Sequence, residues 1–234
     1  MRIIDFSGSL AGVIRFLKSV AGVMGLRRYF MEQFGSGGLK GSDTVLGLLL
    51  EGNVDGAMTD NDLFFFALLL MIAGNETTTN LLGGMFDTLG RNPGQFDVIR
   101  QNPDLIPIAV EEQLRFSAPI QNLYRNTVAD YRVGDVTIPS GSRVMLSFGA
   151  ANRDPRVFES PDEFRADRNP RAHLAFGFGA HTCLGAQLAR LEGQAVMREL
   201  VEQVSKISLD GETTWSTNSS LRGPTHLRVR LTPA

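Results

Sequence analysis

Hydrophobic residues recur at helical spacing in several separate stretches of the chain. The spacing predicts an amphipathic helix over residues 9–33, a glycine-rich break at 35–42 and a short helix at 43–50. The longest pattern runs from 59 to about 90 and predicts one long helix, with Thr59 as its N-cap. The first third of the chain is therefore expected to be helical.

Beyond this helix the pattern becomes mixed. It predicts a helix at 104–117, short strands at 122–148, a long irregular loop at 152–185 and a helix at 184–205. Together these elements predict a mainly α fold with small β-sheets (α+β), organised as a single domain over residues 1–234.

Composition narrows the class of protein. Hydrophobic residues make up 43%, charged residues 21%, and the net charge is −2, so nothing indicates a nucleic-acid footprint. The most apolar run, residues 63–74, is shorter than the roughly 20 residues that span a bilayer, so we expect a buried core helix there. The N-terminus shows no signal-peptide pattern. We therefore expect a cytoplasmic protein without a membrane segment.

A polar patch, AGNETTTN at residues 73–80, interrupts the long apolar helix. Two interpretations remain open. The patch lies on the exposed face of the helix, or the helix opens there so that Glu76 and a threonine hydroxyl handle protons in a buried cavity.

Glu112 and Arg115 stand three residues apart in the predicted 104–117 helix. This spacing places both side chains on one helical face, where a carboxylate and a guanidinium can pair. Because surface helices often carry such pairs, the pair alone indicates no function.

Cys183, the only cysteine, lies in the glycine-rich stretch FGFGAHTCLG before the last predicted helix. A single cysteine excludes an internal disulfide and a cysteine-rich metal cluster held by this chain alone. Three interpretations remain: an inert buried thiol, a nucleophile with His181 as its base, or an axial ligand of haem iron. The third interpretation, in which the loop approaches a flat macrocycle, accounts for the largest number of residues in this stretch.

The stretch resembles the haem-binding loop of the cytochromes P-450, in which Phe, Gly, Cys and Gly recur at set spacing. Phe176, Gly179, Cys183 and Gly185 fill those positions. AGNETT is similar to the distal-helix signature of that family, and EQLR is similar to its Glu-x-x-Arg pair. The resemblance runs from about residue 22 to the end and corresponds to the C-terminal half of the family, soluble bacterial type.

The resemblance implies a haem b (iron protoporphyrin IX) cofactor with Cys183 as the iron ligand. His181 and Arg125 would bind the haem propionates, and Phe176 would shield the sulfur. Glycines at three positions would give the macrocycle clearance: Gly177, Gly179 and Gly185.

On the distal side, the resemblance implies that Glu76 and Thr77 supply protons during dioxygen activation, with Ala73 and Gly74 leaving space above the haem. Glu112 and Arg115 would be a structural pair. Arg168 is a candidate third member, because the usual position of that arginine holds a glutamate.

Two functions follow as expectations. The first is a monooxygenase that hydroxylates a small apolar substrate with dioxygen, receiving electrons from a donor such as a ferredoxin with its reductase. Its substrate pocket would include Leu69, Asn75 and residues 120–123. The alternative is a truncated or degenerate haem-binding fragment with little or no turnover of its own, acting at most as a packing partner.

Overall fold

The computed structural model describes residues 10–39, 41–53 and 56–234, with side chains from residue 21 onward. The described residues do not include residue 9, with which the N-terminal helix was predicted to begin. They also do not include the residues before it, on which the expectation of no signal peptide partly rests. The helices are α1 (Leu10–Gly35), α2 (Val45–Gly52), α3 (Asp60–Arg91), α4 (Pro93–Gln101), α5 (Ile106–Phe116), α6 (Phe148–Ala151) and α7 (Ala186–Gln203). Short 3-10 turns occur at Pro103–Leu105 and Gly179–His181.

The strands form two-stranded antiparallel sheets in the described part of the chain. They are β1 (Asn122–Asn126) with β4 (Arg143–Ser147), β2 (Tyr131–Val133) with β3 (Val136–Ile138), β5 (Val204–Leu209) with β8 (Val229–Pro233), and β6 (Thr214–Trp215) with β7 (Pro224–His226). In the first sheet Asn122 pairs with Ser147 and Asn126 with Arg143, which sets the register. Gly134, with φ of 57°, makes the turn between β2 and β3. The fold is mainly α with small β-sheets, as the sequence predicted.

The chain divides into two compact units, one up to Ala73 and one from Gly74, and the boundary falls inside α3. In the N-terminal unit, Phe30 of α1 packs against Phe64 of α3 with ring centroids 6.1 Å apart, beside Ala67. The C-terminal unit contains the larger core, which collects apolar residues from α3, α4, α5, α7 and β5: Leu81, Met85, Leu89, Phe96, Ile99, Ile106, Val110, Leu114, Met197, Leu200 and Ile207.

α3 begins with a reciprocal cap, as its sequence predicts. The backbone N–H of Asp62 donates to Thr59 Oγ1 over 3.2 Å, and Asp62 Oδ2 accepts from the backbone N–H of Thr59 over 2.9 Å. The hydrogen bonds from Thr59 also lower the pKa of the Asp62 carboxyl. The helix therefore starts where its first N–H groups find acceptors.

Glycines allow helices of the C-terminal unit to pack closely on their neighbours. A Cβ added at Gly83 would lie 2.6 Å from Cγ of Pro224, and one added at Gly90 would lie 2.8 Å from a methyl of Leu209. Because these positions are seven residues apart, they share one face of α3, which packs on the C-terminal strands. Gly193 allows α7 to approach α5 in the same way.

The expectation of a buried helix at residues 63–74 is wrong for most of that run. Leu63 and Phe64 are buried, but Phe65, Leu69 and Ile72 have between 49% and 59% of their surface exposed. By length and composition α3 could cross a membrane, and only 11% of its most apolar window is buried. Core helices of soluble proteins have similar compositions, so this is weak evidence for a membrane.

The polar patch at residues 73–80 does not open the helix. α3 is continuous over Asp60–Arg91, and Thr79 Oγ1 donates to the carbonyl of Asn75 over 2.9 Å. This bond to the preceding turn satisfies the hydroxyl without interrupting the helix. Ala73, Gly74 and Asn75 are exposed, whereas Glu76 is half-buried. The exposed-face interpretation therefore describes the first residues of the patch.

Two regions of regular structure were not predicted. The segment GRNPGQ was interpreted as the end of the long helix, but Pro93 begins α4 at once, because proline suits the first helical position. The four strands β5 to β8 were also missed. Elsewhere the differences are small: α5 begins at Ile106 after a 3-10 turn, and α7 spans Ala186–Gln203, where residues 184–205 were predicted.

Candidate functional site

A buried ion pair links α5 to the irregular segment that follows β4. Arg115 donates from Nε to Glu112 Oε2 over 2.7 Å and from Nη2 to Glu112 Oε1 over 2.8 Å, and both side chains are 0% exposed. A two-pronged charged hydrogen bond of this kind has a defined geometry. The pair is therefore buried, unlike the ion pairs that surface helices commonly carry.

Arg168 joins the same carboxylate. Its Nε donates to Glu112 Oε1 over 3.0 Å, although the two residues are 56 positions apart. Arg165 adds its backbone N–H to that oxygen over 3.1 Å. Glu112 thus accepts four hydrogen bonds from three arginines, and the structure brings together Glu112, Arg115 and the candidate Arg168.

The cluster also holds the backbone of the irregular segment. Arg115 donates to the carbonyls of Asn152, Pro161 and Glu163 over 2.8 to 3.1 Å. Asn152, which is fully buried, in turn accepts the backbone N–H of Leu174 at its Oδ1 over 2.7 Å. The guanidinium of Arg115 therefore connects α5 to the chain that leads to Cys183.

Cys183 ends a closed loop. Its backbone N–H donates to the carbonyl of Phe176 over 2.9 Å. Gly177 and Gly179 both have φ of 72°, a conformation that favours glycine. The thiol is free and exposed, so the interpretation of Cys183 as an inert buried thiol is wrong. The loop presents the sulfur to the surface of the protein.

Glycine at position 185 leaves the space beside the sulfur open. A Cβ there would meet only Cys183 Sγ, at 4.0 Å. Apolar side chains that face solvent flank the thiol along the chain: Phe178 is 86% exposed, Leu184 78% and Leu188 61%. α7 buries its opposite face through Gly193 and Met197. Apolar surface next to an open thiol is typical of a site for a large apolar ligand.

The other predicted site residues lie on β1, on the cysteine loop and on α3. Arg125 lies on β1 and His181 in the 3-10 turn, and both side chains are exposed. Gly74, Glu76 and Thr77 lie on α3 at the start of the C-terminal unit, with Glu76 and Thr77 half-buried. Ala73 is exposed and ends the N-terminal unit.

One charged cluster near the loop was missed by the sequence analysis. Glu111 of α5 contacts His173 and Arg190, and these hydrogen bonds hold the pKa of Glu111 at about 2 although desolvation, the largest effect, acts to raise it. A second acid beside Glu112 and a histidine three residues before Phe176 were the available signals. Neither spacing predicts a contact by itself.

A cleft of about 500 Å³ also lies within the C-terminal unit. Its described lining consists of Asp87, Thr88, Arg91, Arg115, Phe116, Ser117, Ala118, Gln121, Gly149, Arg153, Trp215 and Arg222. Asp87 pairs with Arg91, and Arg222 stacks over the ring of Trp215 at 4.2 Å. The lining includes no residue of the loop from Phe176 to Gly185, so the cleft is separate from the thiol.

Comparison with known proteins decides the family. The family model described as Cytochrome P450 matches residues 39–221, which is most of the chain. The chain belongs to the cytochrome P450 family. The family suggested by the loop and the two helical motifs is therefore confirmed, and P450 membership implies a haem cofactor.

Individual P450 relatives agree with this assignment. The chain is 50% identical over 233 residues to the beta-dihydromenaquinone-9 omega-hydroxylase of Mycobacterium tuberculosis, covering 100% of this chain and 47% of that protein. It is 37% identical over 196 residues to the steroid C26-monooxygenase of Mycolicibacterium smegmatis, covering 82% and 49%. The chain thus spans about half the length of the curated relatives it matches.

Solved P450 structures share the fold. The structure of CYP109E1 from Bacillus megaterium in complex with corticosterone superposes with a TM-score of 0.89 at 30% identity, covering 98% of this chain and 62% of that one. P450BioI in complex with an acyl carrier protein carrying a fatty acid gives 0.85 at 35% identity, covering 97% and 58%.

The residues around Cys183 fit the cofactor that the family implies. Haem is a flat, largely apolar group with anionic propionates at one edge. The exposed leucines and Phe178 offer apolar surface beside the thiol, and the exposed His181 of the same loop offers a hydrogen-bond donor for an anionic group. Arg125, on β1, is exposed as well.

Proposed function

We propose that this chain forms the haem-thiolate part of a monooxygenase, with Cys183 as the axial ligand of haem b. The observation that carries the proposal is the exposed free thiol of Cys183 on a closed, glycine-containing loop. Bound haem would supply the electron-transfer and dioxygen-activating chemistry. The protein would supply binding, orientation and proton handling.

Each residue near the loop has a proposed task. Cys183 would bind iron as a thiolate, and Phe176 would cover the sulfur side. His181 and Arg125 would hold the propionates, and the side chains of both residues are exposed. The glycines of the loop would let the backbone approach the macrocycle.

The distal residues have a separate proposed task. Glu76 and Thr77, half-buried on α3, would hold and move protons toward the reacting oxygen. Ala73 and Gly74 would leave room above the haem because their side chains are small or absent. The buried cluster of Glu112, Arg115 and Arg168 would maintain the backbone that leads to the loop.

For the substrate we propose an apolar organic molecule. The relative with 50% identity is named for omega-hydroxylation of a dihydromenaquinone, so a quinone with a long isoprenoid chain is the first substrate to test. Leu69, Asn75 and residues 120–123 are proposed to contact it. We propose that the reaction takes place in the cytoplasm and that a ferredoxin with its reductase supplies the electrons.

A spectroscopic experiment tests the proposal. The chain is loaded with haem, reduced and treated with carbon monoxide, and the Soret band is recorded. We expect the band that is characteristic of thiolate ligation, its loss in Cys183→Ala, and its retention in Thr77→Ala with less product formed per dioxygen consumed. Absence of the thiolate band from the wild-type chain would reject the proposal.

A second candidate function is a haem-binding fragment without turnover of its own. It is favoured by the observation that the chain spans 47% of the length of the relative with 50% identity. Product formation by the haem-loaded chain alone, with dioxygen and electron donor present, would exclude this candidate. A normal thiolate band without product, with turnover restored when the N-terminal half of that relative is added, would support it.

A further inference from the structure

Glu111 connects three segments that the chain brings together from distant positions. From α5, its Oε2 lies 2.7 Å from Nε2 of His173, in the segment before the cysteine loop, and 3.1 Å from Nη2 of Arg190 on α7. Its Oε1 accepts from Nε of Arg190. One carboxylate therefore joins α5, the loop segment and α7.

The tautomer of His173 follows from its other ring nitrogen. Nδ1 accepts the backbone N–H of Ala175 over 3.2 Å, so the proton of a neutral ring is on Nε2. Nε2 then donates to Glu111. The ring of His173 is held at both nitrogens, and only 5% of its side chain is exposed.

The two partners of Glu111 enclose Phe176. The guanidinium carbon of Arg190 lies 4.6 Å from the centroid of the Phe176 ring, and the ring of His173 lies 6.1 Å from it. The carbonyl of Phe176 accepts the backbone N–H of Cys183. Glu111 is therefore linked to Cys183 by way of His173 or Arg190, then Phe176, and finally the hydrogen bond between Phe176 and Cys183.

Leu174, the residue after His173, is also connected to α5. The backbone N–H of Leu174 donates to Asn152 Oδ1 over 2.7 Å, and the carbonyl of Asn152 accepts from Arg115 over 2.9 Å. Glu111 and Arg115 are four residues apart and share one face of α5. His173 and Leu174, two consecutive residues of the segment before the loop, are thus connected to one face of α5.

We propose that Glu111 is a positioning residue for the haem-binding loop. Through His173 and Arg190 it holds Phe176 and the closing hydrogen bond of Cys183 at a set place relative to α5 and α7. This role rests on the proposed function of Cys183 as the iron ligand. It is distinct from the Glu112 cluster, which binds the preceding backbone.

Hydrogen exchange on the full chain without haem tests the proposal directly. Glu111→Ala should speed exchange of the Cys183 and Gly177 amides about tenfold, because the loop opens locally without its connection. The amide of Leu114, in the core of α5, serves as the internal reference for global stability, and its exchange should speed up less than that of the two loop amides. Glu111→Gln, which keeps one acceptor oxygen but not the charge, should give a smaller increase.

The matched control is Glu202→Ala. Glu202 is an exposed glutamate on α7, so this variant removes the same side chain from a helix without touching the loop. It should leave loop exchange at the wild-type rate. After haem loading, Glu111→Ala should convert part of the thiolate-type band of the ferrous carbon monoxide complex to a band without thiolate ligation, and Glu202→Ala should not.

The outcomes separate this proposal from the proposed function. Unchanged loop exchange in Glu111→Ala, or an equal increase at Leu114, would overturn the positioning role. If Glu111→Ala does not fold, the same criteria apply to Glu111→Gln and to His173→Gln. A wild-type chain without any thiolate band rejects the haem function, whereas the exchange result still decides the role of Glu111.

Discussion

Replacing Glu112 by Gln probes the buried cluster most directly. The wild-type carboxylate accepts two hydrogen bonds from Arg115, at 2.7 and 2.8 Å, and one from Arg168 at 3.0 Å. The amide keeps a single acceptor oxygen and turns an N–H group toward a guanidinium, which cannot accept it. Two cations, 0% and 10% exposed at their side chains, then lose their counterion.

Removing one partner of a buried pair costs about 3–5 kcal/mol, because the remaining charge is neither solvated nor paired. For a chain of this size each kcal/mol lowers Tm by about 2–4 °C, so Glu112→Gln should lower Tm by about 6–20 °C. Trp215 is the only tryptophan and lies in the C-terminal unit, so its fluorescence during urea unfolding reports on that unit.

Glu202→Gln is the matched control, because Glu202 is exposed on α7 and the same chemical change is made. Its unfolding free energy should stay within about 0.5 kcal/mol of the wild type. A loss below about 1 kcal/mol for Glu112→Gln would refute the argument, since that is the range of solvent-exposed pairs. Added salt should change the wild-type value little, because buried pairs are weakly screened.

Three further predictions concern other parts of the C-terminal unit. The pKa of Glu111 in the folded protein is about 2, below its ordinary value of 4.5, so its contribution to stability is complete above about pH 4.5 and is lost toward pH 2. In wild-type protein this loss should lower the unfolding free energy by about 1–2 kcal/mol, and urea titrations of Glu111→Gln should not show that part of the decrease. Gly83→Ala should cost about 1–3 kcal/mol, since its Cβ would lie 2.6 Å from Pro224, whereas Gly94→Ala in open space should be neutral or stabilising. Cys183 should react as one exposed thiol per chain with a disulfide reagent, and more slowly after haem is added.

Each of these predictions has a contrary result. An acid dependence that is the same in the wild type and in Glu111→Gln would contradict the ionised hydrogen bonds to that carboxyl. Equal unfolding free energies for Gly83→Ala and Gly94→Ala would contradict the close contact of α3 with Pro224. A thiol of Cys183 that reacts at one rate with and without haem would contradict its assignment as the ligand.

Local patterns in the sequence were enough to predict the elements that carry the site. The spacing of apolar residues and the cap at Thr59 predict α3 to within a residue of Asp60–Arg91. The i, i+3 spacing of Glu112 and Arg115 depends only on helix geometry, and the loop up to Cys183 is a contiguous stretch. Such features involve residues close in sequence, so the chain itself sets their relative positions.

Burial was not predictable in the same way. An apolar run is buried only where another element covers it, and most of residues 63–74 of α3 are not covered. The reverse holds for Glu112 and Arg115, two charged residues that are completely buried because chain segments far along the sequence supply their partners. Residue type alone does not contain that information.

By itself, therefore, the sequence determined the family, the mainly α fold and the closely spaced residues of the loop and of α5. Tertiary structure decided which distant groups complete them: Arg168 reaches Glu112 across 56 residues, and His173 reaches Glu111 across 62. The physical reason is that a hydrogen bond requires two groups within about 3 Å. Helical periodicity ensures such proximity over one or two turns, whereas over dozens of residues only packing of the whole C-terminal unit brings it about.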